Sequence, residues 1–349
     1  MAYTTIDDPS AHFQTALYTG NGSSQSITND GNSDLQPDWI WGSLRNEDGG
    51  ARFVFDSSRG TTKRLKTNAN TEEQVRSGVT AFNSDGFTVG SHSDSNLNTK
   101  SLVAWQWKAN GGSTTTNDAS ATSVGDIDSV YQANTTAGFS IVTYTHTGND
   151  DRVAHGLGAT PQIVIVKERG GAGSWYFMTT QVDGSLDYLL LESTNANGQL
   201  SYSTFTSTTF PSLQFDNTDT AVAYCFTPIQ GYSKFGAYSG NGNADGTFVY
   251  TGFKPAFLLT KRADYADNWR LVDSTRNPGN DGSATCLLPN ANNNETNSGA
   301  RGLDLLSNGF KVRTTDPDSN SSDAGSTYFY MAFADKTLVA TNDIIGLAR

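Results

Sequence analysis

The sequence YTGNG at residues 18–22 returns as YSGNG at residues 238–242, more than two hundred positions later. A tyrosine followed by a small hydroxyl residue and Gly-Asn-Gly is typical of a strand that ends in a tight turn. One such turn carries little information, but its return raises the question of a repeated sequence. A tandem repeat must also repeat its other landmarks, in the same order.

Further landmarks do recur. Each copy has a proline that opens a run of consecutive apolar residues, at Pro37, Pro161 and Pro255. Proline is tolerated at the first position of a strand, where the missing N–H falls at the end of the ladder. Shorter shared stretches follow in order: DSSR (56–59) and DSTR (273–276), SDGF (84–87) and SNGF (307–310), then AW (104–105), AY (223–224) and AF (332–333). The chain is therefore a tandem repeat of three copies.

The repeat predicts an all-β protein of three tandem β-sandwich modules, each about 90–100 residues long. Within each copy, short apolar runs alternate with turns rich in Gly, Asn, Asp and Ser, and no long window has a helical apolar period. The predicted units are an N-terminal arm (1–12), module 1 (13–109), a loose linker (110–136), module 2 (137–230), module 3 (231–336) and a C-terminal tail (337–349).

The closing strands of the three copies also predict equivalent positions. From their shared alanine–aromatic pairs, we expect Trp105, Tyr224 and Phe333 to occupy corresponding buried sites. The alanine before each, namely Ala104, Ala223 and Ala332, should then lie where a larger side chain would clash with a facing sheet.

Composition excludes several function classes. The 349 residues carry a net charge of −12, which repels phosphate backbones, and the basic stretch RGTTKRLK (59–66) reads as a solvated strand and turn. We therefore expect no nucleic-acid binding. The N-terminus lacks the features of a secretory signal, and apolar runs such as IVIV (163–166) are too short to cross a bilayer, so we expect no membrane insertion. Cys225 and Cys286 have no metal-binding spacing and are expected in the core.

The tryptophan pairs are candidate sugar-binding platforms, because alternate strand residues share a face. These are Trp39 with Trp41 and Trp105 with Trp107. The other copies carry Ile, Leu, Phe or Tyr at the positions aligned with them, which is typical of a core site that accepts any large apolar group. A buried structural role is the favoured interpretation, and stacking on a ligand stays open.

The repeated Asp-Ser-x-Arg stretch offers Asp56 with Arg59 and Asp273 with Arg276 as ligand-binding pairs. Alternatively, the aspartate accepts from turn amides while the arginine pairs with it locally. The middle copy lacks the motif, which argues against a shared catalytic role and favours the structural alternative.

No residues are predicted to be catalytic, cofactor-binding or metal-binding. The histidines do not recur between copies and match no metal or nucleophile motif: His12, His92, His146 and His155. The stretch from Asp316 to Asp323 offers oxygen ligands for calcium, but Ser321 and Thr327 stand where an EF-hand needs Gly and Glu. A polar hairpin loop is favoured there, with calcium left open. We expect a protein that is not an enzyme.

A family resemblance is carried by the stretches LYTGNGSSQSI, PDWIW, VAWQWKA, HGLGATPQ (155–162) and GYSKFGAYSGNGNADG (231–246). In these stretches the chain resembles virion proteins of marine bacteriophages, including phages that infect cyanobacteria. Those proteins are described as tail-fibre or host-attachment proteins. The resemblance runs from about Phe13 to Ala334 and implies a virion structural protein assembled in the host cytoplasm. It transfers no catalytic residues. The C-terminal stretch DKTLVATNDIIGLAR departs from the aromatic, proline-containing end of the family.

The resemblance implies a tail fibre or a tail-associated, receptor-binding protein. A capsid decoration or head-fibre protein and a carbohydrate-active or carbohydrate-binding β-sandwich remain as alternatives. The expected partners are other virion proteins, bound through the N-terminal arm, and a host cell-surface glycan or protein. Loops such as 150–152 and 277–283 would face that host surface, and the chain is expected to form a homotrimer.

Overall fold

The predicted all-β fold class is confirmed by a computed structural model of the chain, in which strands make up 42% and helices 5%. The strands form several separate antiparallel sheets. The structure describes residues 4–213, 218–280, 282–298, 301–323 and 325–337. Beyond Thr337, the predicted C-terminal tail lies outside the described residues.

Module 1 is a sandwich of a six-stranded and a three-stranded sheet. Its elements are β1 (Phe13–Thr19), β2 (Gln25–Ile27), β3 (Trp39–Leu44), β4 (Arg52–Asp56), β5 (Lys63–Lys66), β6 (Gln74–Val75), β7 (Val79–Phe82), β8 (Phe87–Val89), helix α1 (Ser93–Asn96) and β9 (Ser101–Trp107). The large sheet has the order β1-β9-β3-β4-β5-β6, and the small one β2-β8-β7. Apolar side chains such as Phe53, Phe55 and Phe87 cluster between the two sheets.

The segment predicted as a loose linker, residues 110–136, is instead largely built into module 2. It contains β10 (Thr115–Asn117), the short helix α2 (Ala119–Thr122) and β11 (Ser129–Asn134). Strand β11 pairs with β10 over three residues and with the first strand of module 2 over six. Its polar composition hid these strands because one face of an added edge strand needs little apolar side chain.

Module 2 repeats the arrangement, with β12 (Phe139–Thr145), β13 (Arg152–Ala154), β14 (Ile163–Glu168), β15 (Trp175–Thr179), β16 (Asp187–Leu190), β17 (Gly198–Gln199), β18 (Thr209–Pro211) and β19 (Thr220–Phe226). The large sheet has the order β10-β11-β12-β19-β14-β15-β16-β17, and β13 pairs with β18 in the small one. A second apolar cluster, including Val153, Phe210 and Met178, lies between them.

Module 3 contains β20 (Ser233–Ser239), β21 (Phe248–Tyr250), β22 (Phe253–Arg262), β23 (Arg270–Asp273), β24 (Ala284–Cys286), β25 (Thr296–Ser298), β26 (Leu303–Leu306), β27 (Gly309–Val312), helix α3 (Pro317–Asn320) and β28 (Thr327–Thr337). Its main sheet is β20-β28-β22-β23, its small outer sheet is β21-β27-β26, and β24 pairs with β25. A bridge between Leu271 and Leu287 brings the β24 region to the edge of the main sheet.

Strand register identifies the equivalent residues of the three main sheets. In each sheet, the residue two positions after the repeated proline has two cross-strand partners. One is a core residue near the end of the closing strand (β9, β19 or β28), and the other is the last residue of the following strand (β4, β15 or β23). These triplets are Trp39 with Trp107 and Asp56, Ile163 with Phe226 and Thr179, and Phe257 with Phe333 and Asp273.

The register corrects one predicted equivalence. Trp105 and Tyr224 do correspond, and both are buried, but Phe333 corresponds to Trp107 and Phe226. The residue equivalent to Trp105 is Met331. The alanine–aromatic pair of module 3 is therefore shifted by two positions, which keeps Phe333 on the same face of its strand.

The three main sheets pack around one shared apolar core, which we call the central core. The equivalent residues Trp107, Phe226 and Phe333 meet there in a triangle, with ring centroids 5.5–6.5 Å apart. The modules are thus arranged as a closed ring about a pseudo-threefold axis. Each main sheet is covered on both faces, by the central core and by its own small sheet, which explains why strands such as WIW and IVIV are apolar at consecutive positions.

The N-terminal arm, residues 1–12, is predicted as a unit separate from module 1, but its described residues pack into the ring. Ile6 is 2% exposed and belongs to the central core. A short 3-10 helix, Pro9–Ala11, contacts β28 of module 3, and the ring of His12 packs edge-on against Tyr232. The arm therefore joins the first module to the last.

The turn that revealed the repeat has a structural cause. In module 1, the Tyr18 hydroxyl donates to the Ser95 carbonyl (2.8 Å), and the Asn21 amide donates to the side-chain oxygen of Asn96 (2.8 Å). Module 3 repeats both contacts against α3, at 3.0 and 2.7 Å. The motif fastens the first strand to the short helix that precedes the closing strand.

Candidate functional site

The repeated Asp–Arg pairs form the local contacts that the structural alternative predicted. Arg59 Nε lies 2.5 Å from Asp56 Oδ2, and its backbone amide donates to Asp56 Oδ1 at 2.8 Å. Arg276 and Asp273 repeat both contacts at 2.6 and 2.8 Å. All four side chains are completely buried, so neither pair is available to a ligand from solvent.

A second donor reaches each aspartate from a neighbouring module. The Tyr224 hydroxyl of module 2 donates to Asp56 Oδ2 at 2.6 Å, and Trp105 Nε1 of module 1 donates to Asp273 Oδ2 at 3.0 Å. Tyr224 and Trp105 are equivalent residues, so the ring makes the same contact twice. The Arg276 guanidinium also lies 5.4 Å from the Trp105 ring centroid, within cation–π range.

A glutamate extends each pair into an ionic chain across the module boundary. At the boundary of modules 1 and 2, Glu73 Oε2 lies 2.9 Å from Arg59 Nη1 and 2.9 Å from Arg169 Nε. The boundary of modules 3 and 1 repeats this arrangement with the corresponding residues Glu295, Arg276 and Arg45. We call these two boundaries the ionic interfaces.

The buried charges stabilise one another. Burial acts to lower the pKa of Arg59, but the carboxylates of Asp56 and Glu73 and the Tyr224 hydroxyl together raise it above its usual range. Burial would raise the pKa of Glu73, yet hydrogen bonds and charges from Arg169 and Arg59 hold it below its usual value. A buried ion pair survives when each charge has such partners.

The boundary of modules 2 and 3 has the same backbone geometry without the Asp–Arg–Glu chain, and we call it the neutral interface. Buried Asp187, the cross-strand neighbour of Thr179, accepts from Asn197 Nδ2 there at 3.1 Å. Glu73, Asn197 and Glu295 occupy equivalent positions, since their amides donate to the carbonyls of Arg169, Ala263 and Arg45 at 2.8–2.9 Å. The other corresponding residues at this boundary are also uncharged: Thr179 for Asp56, Val182 for Arg59 and Met331 for Tyr224. Acceptor, cation and donor have thus been replaced together.

One contact is common to all three interfaces. The residue at the start of the second core strand, or in module 3 just before it, sends a side-chain N–H to a backbone carbonyl of the preceding module in the ring. These bonds run from Trp175 Nε1 to Lys66 (2.7 Å), from Trp269 Nε1 to Leu190 (2.9 Å) and from Arg52 Nε to Leu288 (3.2 Å). The ring is closed by the same device three times.

The repeated Asp–Arg pairs and the donors that meet them are therefore used to join the modules. A family model, a domain of unknown function (DUF7483), matches residues 8–337. The chain belongs to this family. No curated protein and no solved structure matches it. Among the described residues of this DUF7483 chain, no helix has the length and apolar content needed to span a membrane.

The tryptophan pairs are core residues, as favoured from the sequence. Trp39, Trp41, Trp105 and Trp107 are each 1% exposed and belong to the central core. The rings of Trp39 and Tyr224 stack across the boundary of modules 1 and 2, with centroids 4.6 Å apart. None of the four presents a face to solvent, so they do not form a sugar platform.

The histidines lie apart in structural settings. Nδ1 of buried His155 accepts from the Leu157 amide (3.2 Å), while Nε2 contacts the Thr206 carbonyl (3.2 Å), and burial lowers its pKa to about 4. His92 caps α1, its Nδ1 accepting from the Asp94 backbone amide at 3.2 Å, and His12 lies in the arm. Within the described ranges, no three His, Cys, Asp or Glu side chains converge as a metal site would require.

The candidate calcium stretch contains helix α3, capped by the Asp316 side chain. Its carboxylates meet arginines: Arg270 Nη2 lies 3.1 Å from Asp316 and 2.8 Å from Asp318, and Arg262 Nη2 lies 2.9 Å from Asp323. The oxygens that calcium would need therefore already have cationic partners in this structure.

Two buried lysines had no signal in the sequence beyond their place at the end of an apolar run. Lys167 and Lys261 are equivalent, and each amine donates to the next residue's carbonyl and to one in the following turn. Burial lowers the pKa of both to about 8. They brace the hairpin that follows each strand, where module 1 uses the hydroxyl of Ser43.

The outer loops differ from module to module. In the 150–152 loop, Asp150 accepts from the Ser203 amide (2.9 Å), and Arg152 donates to the carbonyls of Ser203 and Thr204. In the 277–283 loop, whose residue 281 lies outside the described residues, Asn277 binds the Thr285 backbone. Both loops are braced at their bases by hydrogen bonds, and their variable polar residues remain candidates for contact with a partner.

Proposed function

We propose that the chain is a non-enzymatic structural protein of a bacteriophage particle, acting as a tail fibre or a tail-associated host-attachment protein. The observation that carries the proposal is the use of the repeated polar and aromatic side chains. The ring is held closed by the Asp–Arg pairs, by the tyrosine and tryptophan that donate to them, and by the four buried tryptophans. What varies between modules is the outer surface, where recognition usually resides on a rigid scaffold.

The ring supports a mechanical role. A buried network that crosses from module to module, together with one shared core, couples the three sandwiches into one cooperative body. Such a body resists local opening and proteolysis, which an extracellular appendage needs. The resemblance to marine phage virion proteins over about residues 13–334 supports the same role independently of this physical argument.

The expected partners follow from the proposal. Other virion proteins would hold the chain on the particle, and a host-surface glycan or protein would meet the outer loops. The arm was expected to anchor the chain, but residues 4–12 are occupied within the ring, so an outer surface is the better anchor. We retain a homotrimer, which sedimentation velocity would distinguish from the 37.3 kDa monomer.

The test is to locate the chain on purified particles of the phage that encodes it. Mass spectrometry should find it among the virion proteins, and immunogold electron microscopy should place the label on the tail. Label on the head would favour the capsid alternative. Absence of the chain from purified particles would overturn the proposal.

A second measurement addresses catalysis. Purified protein incubated with host surface polysaccharide should release no new reducing ends beyond those released by a heat-unfolded sample. Release of oligosaccharide by the native protein alone would contradict a non-enzymatic role.

A further inference from the structure

Module 3 carries an aromatic pair on its outer surface. Phe248 and Tyr250 lie on β21, two residues apart and therefore on one face of the strand, with their Cα atoms about 7 Å apart along it. They are 44% and 50% exposed, whereas Val249 between them is 8% exposed and faces inward. Gly309, the cross-strand neighbour of Tyr250, lies close under the strand: a Cβ there would be 2.0 Å from the Val249 carbonyl oxygen and 3.2 Å from the Phe248 ring.

The fold does not require these aromatics. Register against the equivalent residues Phe310 and Phe87 aligns Val249 with Ile27, so Phe248 and Tyr250 correspond to Ser26 and Thr28 of module 1. Module 2 has Arg152 and Ala154 at these positions. The equivalent strand thus forms with two hydroxyl residues at these positions in module 1 and with an arginine and an alanine in module 2. The two rings at the surface of module 3 need an explanation other than folding.

Polar groups surround the pair. Lys234 Nζ lies 5.2 Å from the Tyr250 ring centroid and donates to the Tyr250 carbonyl at 2.7 Å. Lys311 is the cross-strand neighbour of Phe248, and its amine lies 2.7 Å from the largely exposed carboxylate of Asp245. Lys234 therefore lies over the Tyr250 ring, and an ammonium–carboxylate pair lies beside Phe248.

We infer that Phe248 and Tyr250, with Lys234, Lys311 and Asp245, form a glycan-binding platform. The apolar C–H faces of sugar rings stack on aromatic rings, and sugar hydroxyls bind ammonium and carboxylate groups. This inference deepens the proposed function, on which it rests, by assigning host attachment to one surface of module 3.

The size of the platform separates a glycan from a protein partner. Aromatic side chains present roughly 150–250 Å² each, so two half-exposed rings offer about 200 Å². A stable protein interface needs about 800 Å² from each partner. In addition, Lys234 already binds a carbonyl of β21, and a lysine at a sheet edge disfavours the addition of another strand. A small, flat ligand fits the surface better than a protein does.

The test uses the full chain on an array of defined bacterial surface oligosaccharides, followed by titration of the retained glycans. The double variant Phe248→Ser/Tyr250→Thr copies module 1 and should keep the wild-type unfolding midpoint while losing at least tenfold in affinity. Tyr265→Ser is the matched control, because Tyr265 is 60% exposed but lies outside the platform. It should bind as the wild type does.

Three results would overturn the inference: no glycan is retained by the wild type, the double variant binds as tightly as the wild type, or the wild type dimerises through these residues in sedimentation velocity. The outcome is separable from the proposed function. Loss of glycan affinity in the double variant with no chain on phage particles would keep the platform and reject the virion role. If the chain is found on phage particles but the double variant binds glycan as tightly as the wild type, the virion role is kept and the platform is rejected.

Discussion

The ionic and neutral interfaces solve the same packing problem with different side chains. Both use the same backbone hydrogen bond and the same donor to a carbonyl, yet one buries Asp56, Arg59 and Tyr224, and the other carries Thr179 and Val182. Thr179 instead donates to the Gln162 carbonyl at 2.9 Å, and Val182 packs on the central core. The comparison teaches that the charges are mutually dependent: the ring tolerates all of them or none.

The largest expected effect comes from breaking one ionic interface in a single step. Asp56→Thr installs the residue of the neutral interface but leaves the buried Arg59 without its carboxylate. Removing one partner of a buried ion pair costs about 3–5 kcal/mol. Denaturant unfolding should show this loss, and an unchanged stability would contradict the mutual dependence of the charges.

The matched control converts the buried Asp–Arg–Tyr set. Asp56→Thr, Arg59→Val and Tyr224→Met together install the three corresponding residues of the neutral interface, while Glu73 keeps its contact with Arg169. Replacing a whole buried charge set by apolar residues is often neutral or stabilising. The triple variant should therefore recover most of the loss; a sum of three separate penalties would refute the comparison.

A smaller effect is expected from removing one donor. Tyr224→Phe leaves Asp56 and Arg59 in place but deletes the 2.6 Å hydrogen bond, which as a bond to a charged group contributes about 1.5–3 kcal/mol. Tyr144→Phe is the control, since the Tyr144 hydroxyl is buried without a hydrogen-bond partner among the described residues. Equal stability losses in the two variants would show that the Tyr224 contact contributes nothing specific.

The contact shared by both types of interface should respond equally. Trp175→Phe at an ionic interface and Trp269→Phe at the neutral one each remove an indole N–H that donates to a carbonyl. Each should lower the free energy of unfolding by about 1–2 kcal/mol, in addition to the loss caused by the smaller ring. Trp41→Phe estimates the volume loss alone, because the Trp41 indole N–H has no partner within the described part of the chain. Unequal losses at the two interfaces would mean that the ring is not closed by equivalent contacts.

The smallest effect is a pH dependence at the ionic interfaces. The pKa of Glu73 is held below its usual value in the folded state, so its contribution is present above the unfolded pKa and lost as pH falls through the folded one. Glu73→Gln should cost about 1 kcal/mol at pH 7 and flatten the acid loss of stability below about pH 5. Unfolding midpoints measured from pH 7 to pH 3 would check this, and parallel curves for both proteins would contradict it.

The fold class could be predicted because equivalent positions in the three copies of the repeat can be compared with one another. Trp39 is assigned to the core once Ile163 and Phe257 are seen at the same position, and the loss of Asp-Ser-x-Arg from module 2 argues for structure over catalysis. The contacts that explain the motif could not be predicted. Tyr224 and Asp56 are 168 residues apart, and Glu73 and Glu295 lie in loops without similar neighbouring sequence. Only the three-dimensional ring shows that these loops are equivalent.

Each of the three wrong predictions has its own physical cause. Ile6 was assigned to a free arm because one apolar residue in a polar stretch gives no periodic signal, yet a single side chain suffices to enter a core built by other modules. Strands β10 and β11 were missed because pairing along an existing sheet edge depends on backbone groups, which every residue carries. The shift between Phe333 and Trp105 arose because alanine–aromatic pairs occur at two registers on the same face.

The shared central core has a consequence for synthesis on the ribosome. The inward side chains of module 1, such as Trp107, face partners as distant as Phe333, so they stay uncovered until the last strand has been translated. At about 5–20 residues per second, that interval lasts roughly ten to fifty seconds. During this time the nascent chain presents a tryptophan-rich sheet face to the cytosol, and a truncated product would keep it exposed permanently.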